Sequence, residues 1–232
     1  MRKILFTVSA LFTAAATASA QAPNTVRLRL DPASEVTVEG TSSMHDWHCK
    51  TDKINAYVDV DPAYTRDLSK VARPIAAVNV NIVVKTLTCG NSQMDRNMYS
   101  TLKADENQLI KYTLSAYDIL NGSASPSSFA ASTNGSLSIA GQTKPIEMKI
   151  SAEREADGKA VARGEKTLLL TDFGIKPPSF MFGTLKVGNE IKVKFMLKAG
   201  PELLAQLEAA LHAAGQYANA MTTQATTIQE GR

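Results

Sequence analysis

Residues 137–152 read LSIAGQTKPIEMKISA, and further runs of the same kind follow at 166–170 (KTLLL) and 191–197 (IKVKFML). Apolar residues recur at every second position in these runs, which is the pattern of a β-strand with one buried face. Short turns join the runs, among them TDFGIKPP at 171–178. The stretch therefore predicts a closed or nearly closed antiparallel barrel. Because a barrel interior can hold a ligand, we favour a carrier or binding module over an enzyme.

The same alternation continues through most of the chain before this stretch. It occurs at 26–30, 36–38, 54–60, 78–84, 110–116 and 129–139. The connections are mostly too short for parallel crossovers, so antiparallel pairing is expected. Only Met94, Met98 and Leu102 recur at the four-residue spacing of a helix. The sequence predicts an all-β protein of eight or nine strands with one short helix.

The N-terminus has the pattern of a secretory signal peptide. Arg2 and Lys3 precede a short apolar segment, and the small residues Ala18-Ser19-Ala20 follow it. We therefore expect residues 1–20 to be removed by cleavage after Ala20, and the mature protein to be periplasmic or secreted. The apolar segment is too short for a membrane-spanning helix, so no stable membrane insertion is expected.

The charge balance argues against a nucleic-acid partner. The chain has 25 basic and 22 acidic residues, and without Arg2 and Lys3 the formal charge falls from +3 to +1. The remaining basic residues are spread singly through the predicted strands rather than concentrated in a stripe. We expect no nucleic-acid binding.

Cys49 and Cys89 are the only cysteines in the chain. An exported protein enters an oxidising compartment, where paired cysteines form disulfides by default. We therefore predict a Cys49–Cys89 disulfide. Closing a loop of this length would stabilise the fold by roughly 4 kcal/mol.

The C-terminal segment, residues 199–232, differs in composition from the rest. Leu203, Leu204, Leu207 and Leu211 lie at helical spacing, and a polar stretch follows. We predict a weak amphipathic helix and a disordered tail outside the barrel. We favour a simple cap for this helix, with docking to a partner as the alternative.

His45, Asp46, His48 and Cys49 form the densest group of potential metal ligands. Regular strand geometry would place the two histidines on opposite faces, and a disulfide would occupy the cysteine. We favour hydrogen-bonded polar groups at the barrel rim over a metal site. The chain also lacks a Gly-x-Ser-x-Gly elbow and a phosphate-binding loop, so we expect no catalytic residue, no cofactor and no metal.

Three segments together resemble the YceI-like family. They are 40–48 (GTSSMHDWH), 137–146 (LSIAGQTKPI), and 172–175 (DFGI) with 187–191 (VGNEI). The resemblance covers residues 25–198, which we take as the domain. It implies an exported, lipocalin-like β-barrel that holds a polyisoprenoid or similar amphiphile, and it admits a homodimer.

The candidate ligand-binding residues follow from strand parity and from the loop at 173–182. We expect an elongated apolar cavity with few polar groups. The leading function is an exported binding protein for an isoprenoid-type lipid, polyprenyl or quinone-like. The alternative is a non-catalytic scaffold of the cell envelope with a filled barrel. The candidates are His48, Ile54, Val58, Val80, Ile82, Tyr112, Leu114, Met148, Ile150, Leu168, Phe173, Phe182 and Phe195.

Overall fold

The computed structural model describes residues 25–60, 75–120, 122, 128–155 and 160–199. The predicted signal peptide and C-terminal segment lie outside the described residues. The described part contains one α-helix, α1 (Ser92–Thr101), and eleven strands. The strands are β1 (Val26–Arg29), β2 (Glu35–Ser42), β3 (Trp47–Thr51), β4 (Ile54–Val60), β5 (Ile75–Val83), β6 (Leu109–Ile119), β7 (Ser128–Ile139), β8 (Gln142–Arg154), β9 (Ala160–Leu169), β10 (Ser179–Phe180) and β11 (Leu185–Ala199).

The predicted all-β antiparallel fold with one short helix is confirmed. The strand number exceeds the predicted eight or nine because β3 and β10 were not expected. β3 reads WHCKT, in which polar residues outnumber apolar ones, and β10 has only two residues. Neither segment carries enough apolar alternation to be recognised as a strand.

The sheet curls into a barrel. Its strand order is β1-β4-β5-β6-β7-β8-β9-β11-β2-β3, with β10 paired to β11, and every pairing is antiparallel. β3 lies at one end of this order and β4 lies next to the other end. Only Asp52 and Lys53 separate the two strands along the chain, so the two sides of the sheet approach within about 11 Å there.

Several connections gather at one end of the barrel, which we call the helix end. They comprise residues 43–46, 84–108, 140–141 and 170–184. The strand register places them together, because Val187 pairs with Ser42 and Glu190 pairs with Leu169. On the other side of the barrel, Val83 pairs with Leu109 and Lys111 pairs with Ser138.

Helix α1 is fastened to the barrel at the helix end. The Asn91 side chain caps its N-terminus by accepting hydrogen bonds from the amides of Gln93 and Met94, at 2.9 and 3.2 Å. The predicted disulfide between Cys49 and Cys89 is confirmed, and it ties the segment before α1 to β3. The Tyr99 hydroxyl group donates to the Leu87 carbonyl oxygen at 2.7 Å. Within the described residues, no helix is long and apolar enough to span a membrane.

Two clusters of buried apolar side chains lie at different levels of the barrel. The larger cluster belongs to the helix end and comprises Leu137, Ile139, Leu168, Leu170, Phe173, Ile175 and Ile191. The smaller cluster lies toward the opposite end and comprises Tyr117, Phe129 and Ala131.

Three strand glycines lie under aromatic rings. Trp47 covers Gly40, Tyr112 covers Gly135 and Phe195 covers Gly164, and a Cβ atom at any of these glycines would overlap the ring above it. Gly40 pairs directly with Trp47, and Gly164 pairs directly with Phe195. The absence of a side chain thus lets each ring lie flat against the wall.

Candidate functional site

The barrel encloses a cavity of about 860 Å³. Inward side chains of β2 to β11 and one face of α1 line it. Most of these side chains are aliphatic or aromatic. A volume of this size falls within the range of pockets that bury small organic ligands. The barrel is therefore not filled by its own side chains.

Ten of the thirteen predicted site residues line this cavity. They come from six strands and from the segment after β9, and alternation alone placed most of them correctly. Their contact with a ligand stays a prediction. The ten residues are Val58, Val80, Ile82, Tyr112, Leu114, Met148, Ile150, Leu168, Phe173 and Phe195.

The other three candidates do not line the cavity, and for His48 and Phe182 this corrects the sequence prediction. His48 is exposed on the outer face of β3, because the inward position beside it belongs to Cys49, only 1% exposed. Ile54 shares the predicted face of its strand partner Ile82, but it is the first residue of β4 and does not line the cavity. Phe182 has a φ of 54°, in the left-handed region, and its side chain is fully exposed to solvent.

The histidine that reaches the cavity is His45, not His48. It lies in the turn between β2 and β3, where strand parity gives no guidance. Its Nδ1 atom lies 2.7 Å from the Asp46 carbonyl oxygen. Cys49 is bonded to Cys89 and has no thiolate to offer a metal. The described residues contain no group of three or more His, Cys, Asp or Glu placed to hold a metal ion.

The cavity reaches solvent at the helix end. Of the described residues that line it, only His45, Asn91 and Gln93 are exposed. All three lie at the helix end, and we call them the mouth. Below the mouth, one face of α1 covers the cavity with Met94, Asn97, Met98, Thr101 and Leu102.

Two of the predicted site residues are polar, His48 and Tyr112, and of these two Tyr112 lines the cavity. Its hydroxyl oxygen is buried and has no hydrogen-bond partner among the described residues. Burial raises the pKa of Tyr112, and the nearby Thr133 side chain opposes that shift in part. The Thr133 hydroxyl group donates instead to the Met148 carbonyl oxygen at 3.0 Å. Tyr112 thus remains a neutral phenol with an unused hydrogen-bonding group.

Other residues of the site were missing from the sequence prediction. Trp47 lines the cavity from the unexpected strand β3, and its indole nitrogen donates to the Thr41 carbonyl oxygen at 3.1 Å. Asn97 lines it from α1, where the helical spacing of Met94 and Met98 already marked the inward face. Lys166 lines it from β9, on the same parity as Leu168. Strand alternation in the sequence could have identified Lys166 as a residue of the inner face.

Comparisons with known proteins agree with this geometry. The family model of the YceI-like domain matches residues 28–199 of this chain. No curated protein sequence matches the chain. BcnA of Burkholderia cenocepacia is similar in structure, with 18% identity over 73% of this chain and 99% of its own, and a TM-score of 0.59.

Two further solved structures share the fold. A polyisoprenoid-binding domain from Saccharophagus degradans has 10% identity over 75% of this chain and 98% of its own, with a TM-score of 0.53. The YceI protein of Campylobacter jejuni has 17% identity over 65% of this chain and 82% of its own, with a TM-score of 0.50. The domain match spans well over half of the chain, and we conclude that this protein belongs to the YceI-like family.

Proposed function

We propose that this protein is an exported binding protein that holds an isoprenoid-type lipid, polyprenyl or quinone-like, in the barrel cavity. The observation that carries the proposal is the enclosed apolar cavity of about 860 Å³ beneath α1. The polyisoprenoid-binding domain of Saccharophagus degradans, which has a similar fold, supports the same ligand class.

The physical basis of binding is apolar burial. An isoprenoid tail gains about 0.8 kcal/mol for each methylene-sized group that leaves water, so a chain of ten carbons already binds usefully. The cavity opens at the mouth and extends down to Tyr117 and Phe129. This shape suits a linear tail with its polar end near α1. The cavity favours this proposal over the alternative function, a scaffold with a filled barrel.

In this proposal, the protein binds its ligand and does not transform it chemically. We test this with protein purified from the cell envelope under non-denaturing conditions. Native mass spectrometry should detect one bound lipid per chain, and organic extraction should release an intact isoprenoid compound. Protein that carries no lipid and takes up no added polyprenyl alcohol would overturn the proposal.

Export is part of the same proposal and has its own test. The mature N-terminus should be Gln21, as read by intact mass or N-terminal sequencing of protein from the periplasm or medium. An uncleaved chain that stays in the cytoplasm would contradict export and leave lipid binding untouched. A homodimer stays a prediction, which light scattering of the purified protein would test.

A further inference from the structure

Lys166 is the one formally charged side chain among the described residues that line the cavity. It lies on β9 with the same parity as the buried Leu168, while its chain neighbours Glu165 and Thr167 are exposed. Its direct partner across the sheet is Val193 of β11. The lysine therefore belongs to the inner wall.

The strand register gives the level of Lys166 along the barrel. Val193 pairs with Val38, and Val38 pairs with Cys49. Lys166 thus shares a cross-strand row with the disulfide that fastens α1. Polar residues of α1 and its N-cap, among them Asn97 and Asn91, also line this end of the cavity.

No acidic residue balances this charge within the described chain. Asp, Glu and Arg are all missing from the described cavity lining. The described ion pairs of lysine involve Lys50, Lys53, Lys85 and Lys194. Among the described residues, Lys166 has no such pair. A lysine on the inner wall, with no acidic residue in the described lining, attracts a negatively charged ligand group.

We propose that Lys166 anchors the polar end of the ligand and that the cavity selects lipids whose head group is an oxyanion, a carboxylate or a phosphate. This rests on the proposed lipid-binding function and adds the chemical class of the head group. The ammonium group would donate charge-assisted hydrogen bonds to the anionic oxygens. The tail would then extend toward Phe129, away from the mouth.

The test compares two probes that share one tail and differ in head group, farnesyl phosphate and farnesol. Trp47 lines the cavity and is the only tryptophan of the chain, so its fluorescence reports occupancy. The native protein should bind farnesyl phosphate roughly tenfold more tightly than farnesol, because charge-assisted hydrogen bonds are about twice as strong as neutral ones. Lys166→Met should abolish this preference.

The matched control is Lys192→Met. Lys192 is exposed on the outer face of β11, and its strand partner Thr167 is next to Lys166 in sequence. This variant should keep the preference for farnesyl phosphate. If Lys192→Met removes the preference as well, the phosphate is attracted by general surface charge and the proposal is overturned.

The remaining outcomes separate this inference from the proposed function. Equal affinity of the native protein for both probes overturns the head-group proposal and leaves lipid binding standing. Failure of both probes to bind overturns the proposed function itself. Loss of both probes in a folded Lys166→Met protein means that the lysine maintains the shape of the cavity, which also overturns the proposal. Recovery of the preference in Lys166→Arg supports it.

Discussion

The two ends of the cavity are lined in different ways. At the opposite end, Tyr117 and Phe129 are 5% and 7% exposed, and both line the cavity. They belong to the wall strands β6 and β7. At the helix end the cover is a separate element, α1, which is fastened by the Cys49–Cys89 disulfide. Here the cavity reaches solvent at the mouth.

This difference shows which part of the barrel can open at low cost. Opening the opposite end would require wall strands to separate and would break their backbone hydrogen bonds. Moving α1 would disturb mainly its side-chain contacts and a few hydrogen bonds, those of Tyr99 to the Leu87 carbonyl oxygen and of the Cys89 amide to Asp95. Ligand exchange is therefore expected at the helix end, and the following substitutions test the contrast from the largest effect to the smallest.

Removing the disulfide should have the largest effect. Cys49→Ala combined with Cys89→Ala should lower the free energy of unfolding by about 4 kcal/mol, because the chain between the cysteines gains conformational entropy when unfolded. Urea denaturation of the double variant and of the native protein measures this difference.

Two further measurements test whether the effect of the disulfide is confined to the helix end. Amide hydrogen exchange should accelerate in α1 and remain slow in β6 and β7 around Tyr117 and Phe129. A reducing agent should destabilise the native protein and leave the double variant unchanged. Uniform acceleration across the barrel would contradict the contrast between the two ends.

A side chain at Gly135 should have an intermediate effect. Gly135→Val would overlap both the Tyr112 ring and the Thr113 carbonyl oxygen, and it should cost roughly 1–3 kcal/mol, as is usual for overpacking. Adding Tyr112→Leu should recover part of this loss, because the smaller side chain relieves the overlap with the ring but not the overlap with the Thr113 carbonyl oxygen. Thermal denaturation of the single and double variants measures the coupling. Simple addition of the two losses would show that the ring is not the cause.

Removing a single tyrosine hydroxyl group should have the smallest effect on stability, and the effect should differ between two tyrosines. The Tyr117 hydroxyl accepts a hydrogen bond from the Ile75 amide at 2.8 Å, so Tyr117→Phe should cost about 1 kcal/mol. The Tyr112 hydroxyl has no described partner, so Tyr112→Phe should leave the stability of the empty protein nearly unchanged. Chemical denaturation of lipid-free protein compares the two, and a larger loss for Tyr112→Phe would refute the assignment.

Strand alternation was sufficient to predict the fold and most of the cavity wall, because parity assigns each residue to one face of a strand. It placed Val80 and Met148 correctly, since both lie within regular strands. It failed for His48, because β3 was not recognised and its inward parity was unknown. It also failed for Phe182, whose positive φ belongs to a loop that no periodicity describes. The mouth depends on a turn and a helix cap, which only the three-dimensional structure brings together.

The central claim is that the cavity holds the lipid tail, and one matched pair of variants tests it most directly. Val80 lines the cavity on β5, whereas Asn81 lies beside it on the outward parity of the same strand. Val80→Trp should fill the space for the tail, and Asn81→Trp should not. We expect lipid retention, measured by native mass spectrometry of folded protein, to fall at least tenfold in Val80→Trp and to remain at the native level in Asn81→Trp. Equal retention in both folded variants would contradict the account.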